Sequence, residues 1–546
     1  MVLFLILLVK FPNSCSPLSK FHANLRPINI QKSSRGIALK MANTIIEVIK
    51  SGANEANVLG APGRPYLTYG GLLAHVEATV TALNERGIGR NDRVAIVLPN
   101  GPEMASAFIA VAAGATTAPL NPRYREEEFD FYLSDLNAKA LIVEKGSSSP
   151  ALTVASQRDI PVLEIEWAES DPAGLFSFAG VATGERTTNG GHAEPEDGGL
   201  VLHTSGTTSR PKIVPLAQKN ICASAEHIKT SLNLQPEDIE LNIMPLFHIH
   251  GLIAATLSSV RAGASVFCAP GFNALKFFAW VDEAKPSWFT AVPTMHQAIL
   301  RRASRNQEIV DAVPFRLIRS SSSSLPPQVM QELEDTFGCP VIEAYGMTEA
   351  AHQMASNPLP DAPRKPGSVG LAAGPEVAIM DNDSGTLLLS GEIGEIVIKG
   401  PNVFSAYEAN PQANAEAFTD GWFRTGDQGV IDGDGYISLT GRLKEIINRG
   451  GEKISPREVD EVLMDHAAIE QVVTFALPHD KLGEDVAAVV VLHEGEEVEE
   501  KEIREFAANR LADFKVPRKV IFMDEIPKGA TGKLQRIGLA EKLGLV

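Results

Sequence analysis

The chain has 546 residues, 44% of them hydrophobic and 21% charged, values that exclude a disordered, collagen-like or disulfide-built protein. The 67 acidic side chains outnumber the 49 basic ones and leave a net charge of −18, which argues against nucleic acid as a partner. At roughly 150 residues per domain the length predicts about three or four domains. The four cysteines, Cys15, Cys222, Cys268 and Cys339, form no CxxC pair and predict buried free thiols in a reducing compartment.

Residues 1–40 read as a leader. An apolar run at 2–9 (VLFLILLV) falls far short of the ~20 residues that span a bilayer, so no integral membrane span is expected. No acidic residue precedes Glu47, against Lys10, Lys20, Arg26, Lys32, Arg35 and Lys40. Three readings stay open: a transit peptide, a secretory signal lacking its basic n-region, or an upstream extension with the working start at Met41. A cytoplasmic location is expected, or an organellar one if the leader is a transit peptide. The terminal Gly-Leu-Val is not a peroxisomal SKL-type signal.

From about residue 65, β-rich runs such as 93–98 (RVAIVL), 140–143 and 200–203 alternate with amphipathic helical stretches. This pattern predicts an α/β protein, its large N-terminal domain (41–441) built of layered βαβ sheets. A Gly-punctuated, β-rich subdomain is predicted at about 367–440, with strands at 395–399 and 436–439. Residues 442–546 predict a small α+β C-terminal domain. It opens at a capping box, Ser455-Pro456-Arg457-Glu458, with proline at the first helical position. Strands are predicted at 471–477 and 486–492. A second helix is expected to carry Ile503, Phe506, Ala507, Leu511 and Phe514 on one face.

The first chemical signal is TSGTTSRPK at 204–212, directly after the strand-like GLVLH. Its hydroxyls, backbone N–H groups and lysine suit anionic oxygens, although a Ser/Thr surface loop has the same composition. Neither GxxxxGK[ST] nor GxGxxG occurs, which removes the main support for a P-loop kinase or a dinucleotide dehydrogenase.

Six further segments accompany this loop: PLFHIHGL (245–252), YGMTE (345–349), GEIVIKGP (394–401), WFRTGD (422–427), GRLKEIINRGGEKISP (441–456) and PKGATGKLQR (527–536). Together and in this order they resemble the adenylate-forming superfamily of acyl-CoA synthetases, adenylation domains and beetle luciferases, over about residues 45–540. The resemblance implies an AMP-forming acid–thiol ligase that makes an acyl-AMP and then an acyl-CoA thioester, with ATP and CoA as co-substrates and Mg²⁺ as cofactor. It implies that Thr204, Ser205, Gly206, Thr207, Thr208 and Lys212 hold the β- and γ-phosphates. Tyr345 would stack on adenine, Thr348 bond the α-phosphate and Glu349 place Mg²⁺. Asp427 would accept the ribose hydroxyls, with Arg442 nearby. Lys533 would bridge the reacting carboxylate and the α-phosphate. The small domain would swing about Lys444, turning Lys533 out and bringing Gly450 and Gly451 to the pantetheine channel. Two departures stand out: Ser209 where glycine is frequent, and Ile213 after Lys212 where Gly or Ala is usual, the latter with no purpose legible in the sequence.

The acyl partner is expected to be a small carboxylic acid, most simply a short dicarboxylate. The segments expected to line its pocket are polar: His248 and His250, Ser321 and Ser322 within the serine run 320–324, and His352. Such groups bond a second carboxylate, whereas a greasy tail beside them would leave each unpaired at a cost of about 1–3 kcal/mol. His248 stands where histidine is common across the family. The pattern looks most like the oxalyl-CoA synthetase branch. A 4-coumarate or fatty acid–CoA ligase on the same scaffold is the alternative, and a non-catalytic nucleotide-binding partner is the reading from a different class. No carrier domain is expected.

Overall fold

Strands and helices alternate from residue 57 onward in the computed structural model, which describes residues 41–180, 185–204, 211–527 and 534–546. The leader and Cys15 therefore lie outside the described residues. Two large sheets dominate. One has seven described strands in the order Ser177–Phe178, Val162–Glu166, Ala140–Glu144, Arg93–Val97, Thr116–Pro119, Gly198–Thr204 and Lys212–Ala217. The other has nine: Leu371–Ala372, His352–Ser356, Val341–Met347, Leu317–Ser321, Trp288–Ala291, Ile239–Asn242, Ser265–Cys268, Asn57–Ala61 and Arg64–Thr68. Both are parallel in the middle and antiparallel at their ends, as buried βαβ layers require.

Alternation along each strand decides which layer it feeds. Val94 and Ile96 turn into a core shared by the two sheets, while Ala95 and Val97 turn outward under the helices Glu126–Leu136 and Ala151–Gln157. The helix Pro102–Ala112 lies in the shared core with every residue buried, which explains why its sequence is apolar all round. Leu241, Phe289, Ile318 and Val341 face the other way, beneath Phe277–Ala284, Pro293–Ala303 and Pro327–Phe337. Ile213 joins the outer core of the seven-stranded sheet, so the departure after Lys212 is a packing residue. Cys222, Cys268 and Cys339 are free and buried.

A third sheet, built on Glu376–Met380, Gly394–Lys399, Trp422–Ile431 and Ile437–Arg442, carries the β-rich stretch. The strands of the C-terminal part, Ile469–His479 and Gly483–Leu492 among them, carry helices on both faces. Two expectations need correction here. Ser455 caps its helix by accepting from the Glu458 N–H, but the Glu458 carboxylate turns to Lys515 (2.5 and 2.7 Å), so the reciprocal arm of the capping box is not made. The second helix ends at Ala508. Leu511 and Phe514 reach the core from beyond it, the latter within the turn Asp513–Lys515, where Lys515 meets Glu458.

Candidate functional site

The strand Val341–Met347 runs straight into the single turn Thr348–Ala350 and returns as His352–Ser356. The reversal is tight: a Cβ on Gly346 would lie 1.9 Å from the His352 carbonyl oxygen, so no larger residue fits there. Ala351 (φ 47°) and His352 (φ 99°) both adopt left-handed backbone, strain that needs support from the surroundings.

This reversal gathers the first group of polar side chains. Tyr345 is buried and its hydroxyl donates to Asp427 Oδ2, joining the nine-stranded sheet to the β-rich one. Arg442 Nε holds the other Asp427 oxygen at 2.9 Å, and the two residues face each other across paired strands. The Asp427 charge raises the Arg442 guanidinium above its usual range. Burial, then the Asp427 charge, raises the Tyr345 phenol. Glu349 is buried and accepts from the Tyr407 hydroxyl at 2.8 Å. Burial lifts its carboxyl above the usual range, opposed by the Tyr407 bond and by the Arg442 and Lys212 charges. Lys212 Nζ lies 4.3 Å from the centre of the Tyr407 ring. Thr204 and Lys212 are the facing ends of an antiparallel strand pair. Thr348 is half-buried in the turn. Ser205, Gly206, Thr207, Thr208 and Lys533 lie outside the described residues.

The second group lies on the other arm of the reversal. His250 is fully buried at the start of a wide, π-type helical segment, His250–Leu257. Its Nδ1 is 3.0 Å from Ser322 Oγ and its Nε2 is 2.6 Å from Thr290 Oγ1. The His352 ring stands 5.0 Å from the His250 ring, centre to centre. Ser322 is also in left-handed backbone, φ 75°. Ser321 is buried and its hydroxyl donates to the Ala344 carbonyl at 2.9 Å. His248 is half-buried, and its Nδ1 accepts from the His250 N–H at 3.3 Å, which puts the proton of the neutral ring on Nε2. Gly450 (φ 62°) and Gly451 (φ 103°) turn between Ile447–Arg449 and Glu452–Ile454, and Lys444 is exposed just after Arg442.

Sequence reasoning missed Tyr407, Thr290, Arg319 and Gln353. None sits in a recognisable motif, and only the packing brings them to these two groups. Among the described residues no cluster of three or more His, Cys, Asp and Glu side chains forms a metal site by itself. A single buried carboxylate such as Glu349 suits Mg²⁺, which takes one or two carboxylates together with substrate phosphates. A separate cavity of about 400 Å³ beside Arg64, Glu103 and Trp167 holds none of the predicted residues. Its Arg64 is committed to Glu103 (2.5 Å) and to the Asp171 and Pro172 carbonyls. No helix among the described residues is long and apolar enough to cross a membrane.

The chain matches known proteins over most of its length. The model of the AMP-binding enzyme family matches residues 52–408, and that of the AMP-binding enzyme C-terminal domain matches 458–533. The chain is 44% identical over 497 residues to an oxalate–CoA ligase of Arabidopsis thaliana, covering 90% of this chain and 96% of that protein. An oxalate–CoA ligase of Saccharomyces cerevisiae is 41% identical over 500 residues, 86% and 91% of the two chains. Among solved structures, ATP-bound MatB from Rhodopseudomonas palustris matches with a TM-score of 0.81 at 28% identity, covering 92% of this chain and 99% of that one.

Proposed function

We propose that this chain, which belongs to the AMP-binding enzyme family, is an oxalate–CoA ligase: oxalate, ATP and CoA give oxalyl-CoA, AMP and diphosphate. That it is an AMP-forming CoA ligase follows from its family and its relatives. The observation that carries the choice of acid is the polar His250–Ser322–His352 group, two buried rings and a half-buried hydroxyl, beside the Tyr345–Glu349 segment. A fatty or aromatic tail placed against these polar groups would offer them no hydrogen-bond acceptor. A second carboxylate supplies charge-assisted acceptors for the same donors.

A carboxylate is a poor acyl donor because oxide is a poor leaving group. In the first half-reaction one oxalate oxygen attacks the α-phosphorus and diphosphate leaves; in the second the CoA thiolate attacks the acyl carbon and AMP leaves. Catalysis of the first step is positioning and charge stabilisation. Thr204, Ser205, Gly206, Thr207, Thr208 and Lys212 hold the β- and γ-phosphates. Tyr345 packs against adenine, Asp427 and Arg442 hold the ribose, and Thr348 bonds the α-phosphate. Glu349 would hold Mg²⁺, which would supply neutralisation of phosphate charge. Lys533 bridges the acid and the α-phosphate. His248, Ser322 and His352 orient the acid, with His250 and Ser321 behind them. Residues 442–546 then turn about Lys444, so that Gly450 and Gly451 approach the pantetheine arm; glycine there allows close backbone approach.

The test is CoA- and ATP-dependent diphosphate release with oxalate, malonate, acetate, a medium-chain fatty acid and 4-coumarate. Preference for oxalate is expected. Preference for the fatty or aromatic acid overturns the reading of His250, Ser322 and His352 while leaving the ligase assignment in place.

A further inference from the structure

One fully buried cation in the large domain has no counter-ion among the described residues. Arg319, on the strand Leu317–Ser321, is 0% exposed, and no described carboxylate pairs with it. Its Nη2 donates to Gln353 Oε1 at 3.1 Å and its Nη1 to Thr290 Oγ1 at a long 3.4 Å, while Nε has no hydrogen-bond partner. Gln353 is itself fixed, donating from Nε2 to Ser231 Oγ at 2.7 Å. Two buried carboxyls stand on neighbouring strands, Glu240 in register with Trp288 and Glu343 in register with Ser320; burial raises both above the usual range, and neither forms an ion pair with Arg319. An unpaired buried cation is strongly disfavoured unless something neutralises it.

The hydrogen-bond chain shows where that neutralisation comes from. Thr290 lies directly opposite Arg319 in register and is the partner of His250 Nε2 at 2.6 Å. With Thr290 Oγ1 accepting from the guanidinium, its own proton is directed to His250 Nε2. The His250 ring proton then sits on Nδ1 and donates to Ser322 Oγ, 3.0 Å away. Ser322, accepting from His250, keeps its own hydroxyl hydrogen to donate.

We propose that Arg319 is a specificity-determining positioning residue, a buried cation without a protein counter-ion whose charge is presented through Thr290, His250 and Ser322 to the second carboxylate of a short dicarboxylic acid. The inference rests on the oxalate reading above and assigns its selectivity to a residue that does not touch the acid. A monocarboxylate brings no second charge and gains nothing from Arg319.

The experiment compares wild type with Arg319→Met, Arg319→Lys and Thr290→Val, measuring kcat and KM for oxalate, acetate and ATP by diphosphate release, with thermal melting as the check on folding. Arg319→Met is expected to raise the oxalate KM by about tenfold or more and to lower the oxalate-to-acetate kcat/KM ratio equally, with the ATP KM within about twofold. Arg319→Lys keeps the charge and should recover part of the ratio. Thr290→Val breaks the chain and should lower the ratio with the charge still in place. A wild-type enzyme that prefers oxalate, together with an unchanged ratio in Arg319→Met, overturns this inference alone. If Arg319→Met does not fold, an unchanged ratio in both Arg319→Lys and Thr290→Val overturns it. A wild-type preference for acetate overturns this inference and the oxalate reading together.

Discussion

The Tyr345 hydroxyl donates to Asp427, 82 positions away in sequence, and so ties the nine-stranded sheet to the β-rich one. Asp427 is almost wholly buried and has Arg442 on its other oxygen. Tyr345→Phe removes one of the two donors to this buried carboxylate. Hydrogen bonds to charged groups contribute about 1.5–3 kcal/mol, so the variant should lose that much stability in denaturant unfolding. Its ATP KM should rise while the acid KM changes little. An unaltered unfolding midpoint would mean that the bond does not support the sheet junction.

Glu343, on the same strand as Tyr345, predicts a pH effect. It is fully buried and accepts from the Leu325 N–H at 3.0 Å, and burial, opposed by the Arg457 charge, raises its carboxyl to about 7. Because the folded value lies above the unfolded one, the proton bound by Glu343 favours the folded state at acidic pH. That contribution, on the order of 3 kcal/mol, fades as pH rises from about 4.5 through about 7. Glu343→Gln mimics the protonated form. Melting curves from pH 5 to 8 should show a smaller loss of stability with rising pH in this variant than in wild type; parallel profiles would assign the pH dependence elsewhere.

His352 stands beside His250 in strained backbone. His352→Ala should raise the oxalate KM by about tenfold or more, far more than the ATP KM. An unchanged acid KM removes His352 from the acyl pocket.

Lys533 is assigned by resemblance to the first half-reaction only. Lys533→Ala should slow acyl-AMP formation by about 10²–10³-fold and leave thioester formation from supplied acyl-AMP near the wild-type rate. Equal losses in both half-reactions would contradict that role.

Glu470, on the strand Ile469–His479, meets the helix Pro293–Ala303. Arg301 pairs with Glu470, and Gln297 donates to the Glu470 carbonyl at 3.2 Å. Since Arg301 is half-exposed, this pair contributes at most about 1 kcal/mol. Glu470→Ala should shift the melting temperature by no more than a few degrees and change the adenylation rate more than the thioester rate. A large stability loss would mean that the contact is a structural joint.

Much of this was legible before any coordinates. Local patterning determined the strands at 93–98, 140–143 and 200–203 of the seven-stranded sheet, because short apolar runs bounded by turns depend on neighbours only. The same holds for the N-cap at Ser455 and for Tyr345, Asp427, Arg442, Glu349 and Lys212, which stand in contiguous motifs. Contacts between distant positions were not legible. The end of the helix at Ala508 follows from Lys515 meeting Glu458, and the isoleucine after Lys212 follows from a core formed by other strands. Tyr407, which bridges Lys212 and Glu349, and Arg319, which reaches His250 through Thr290, carry no local signature. Periodicity thus fixes part of the scaffold, and the motifs that carry the family resemblance name the candidate groups. Whether a buried arginine finds a carboxylate or only a threonine and a glutamine is decided when separate strands pack side by side, because burial and register are properties of the whole sheet.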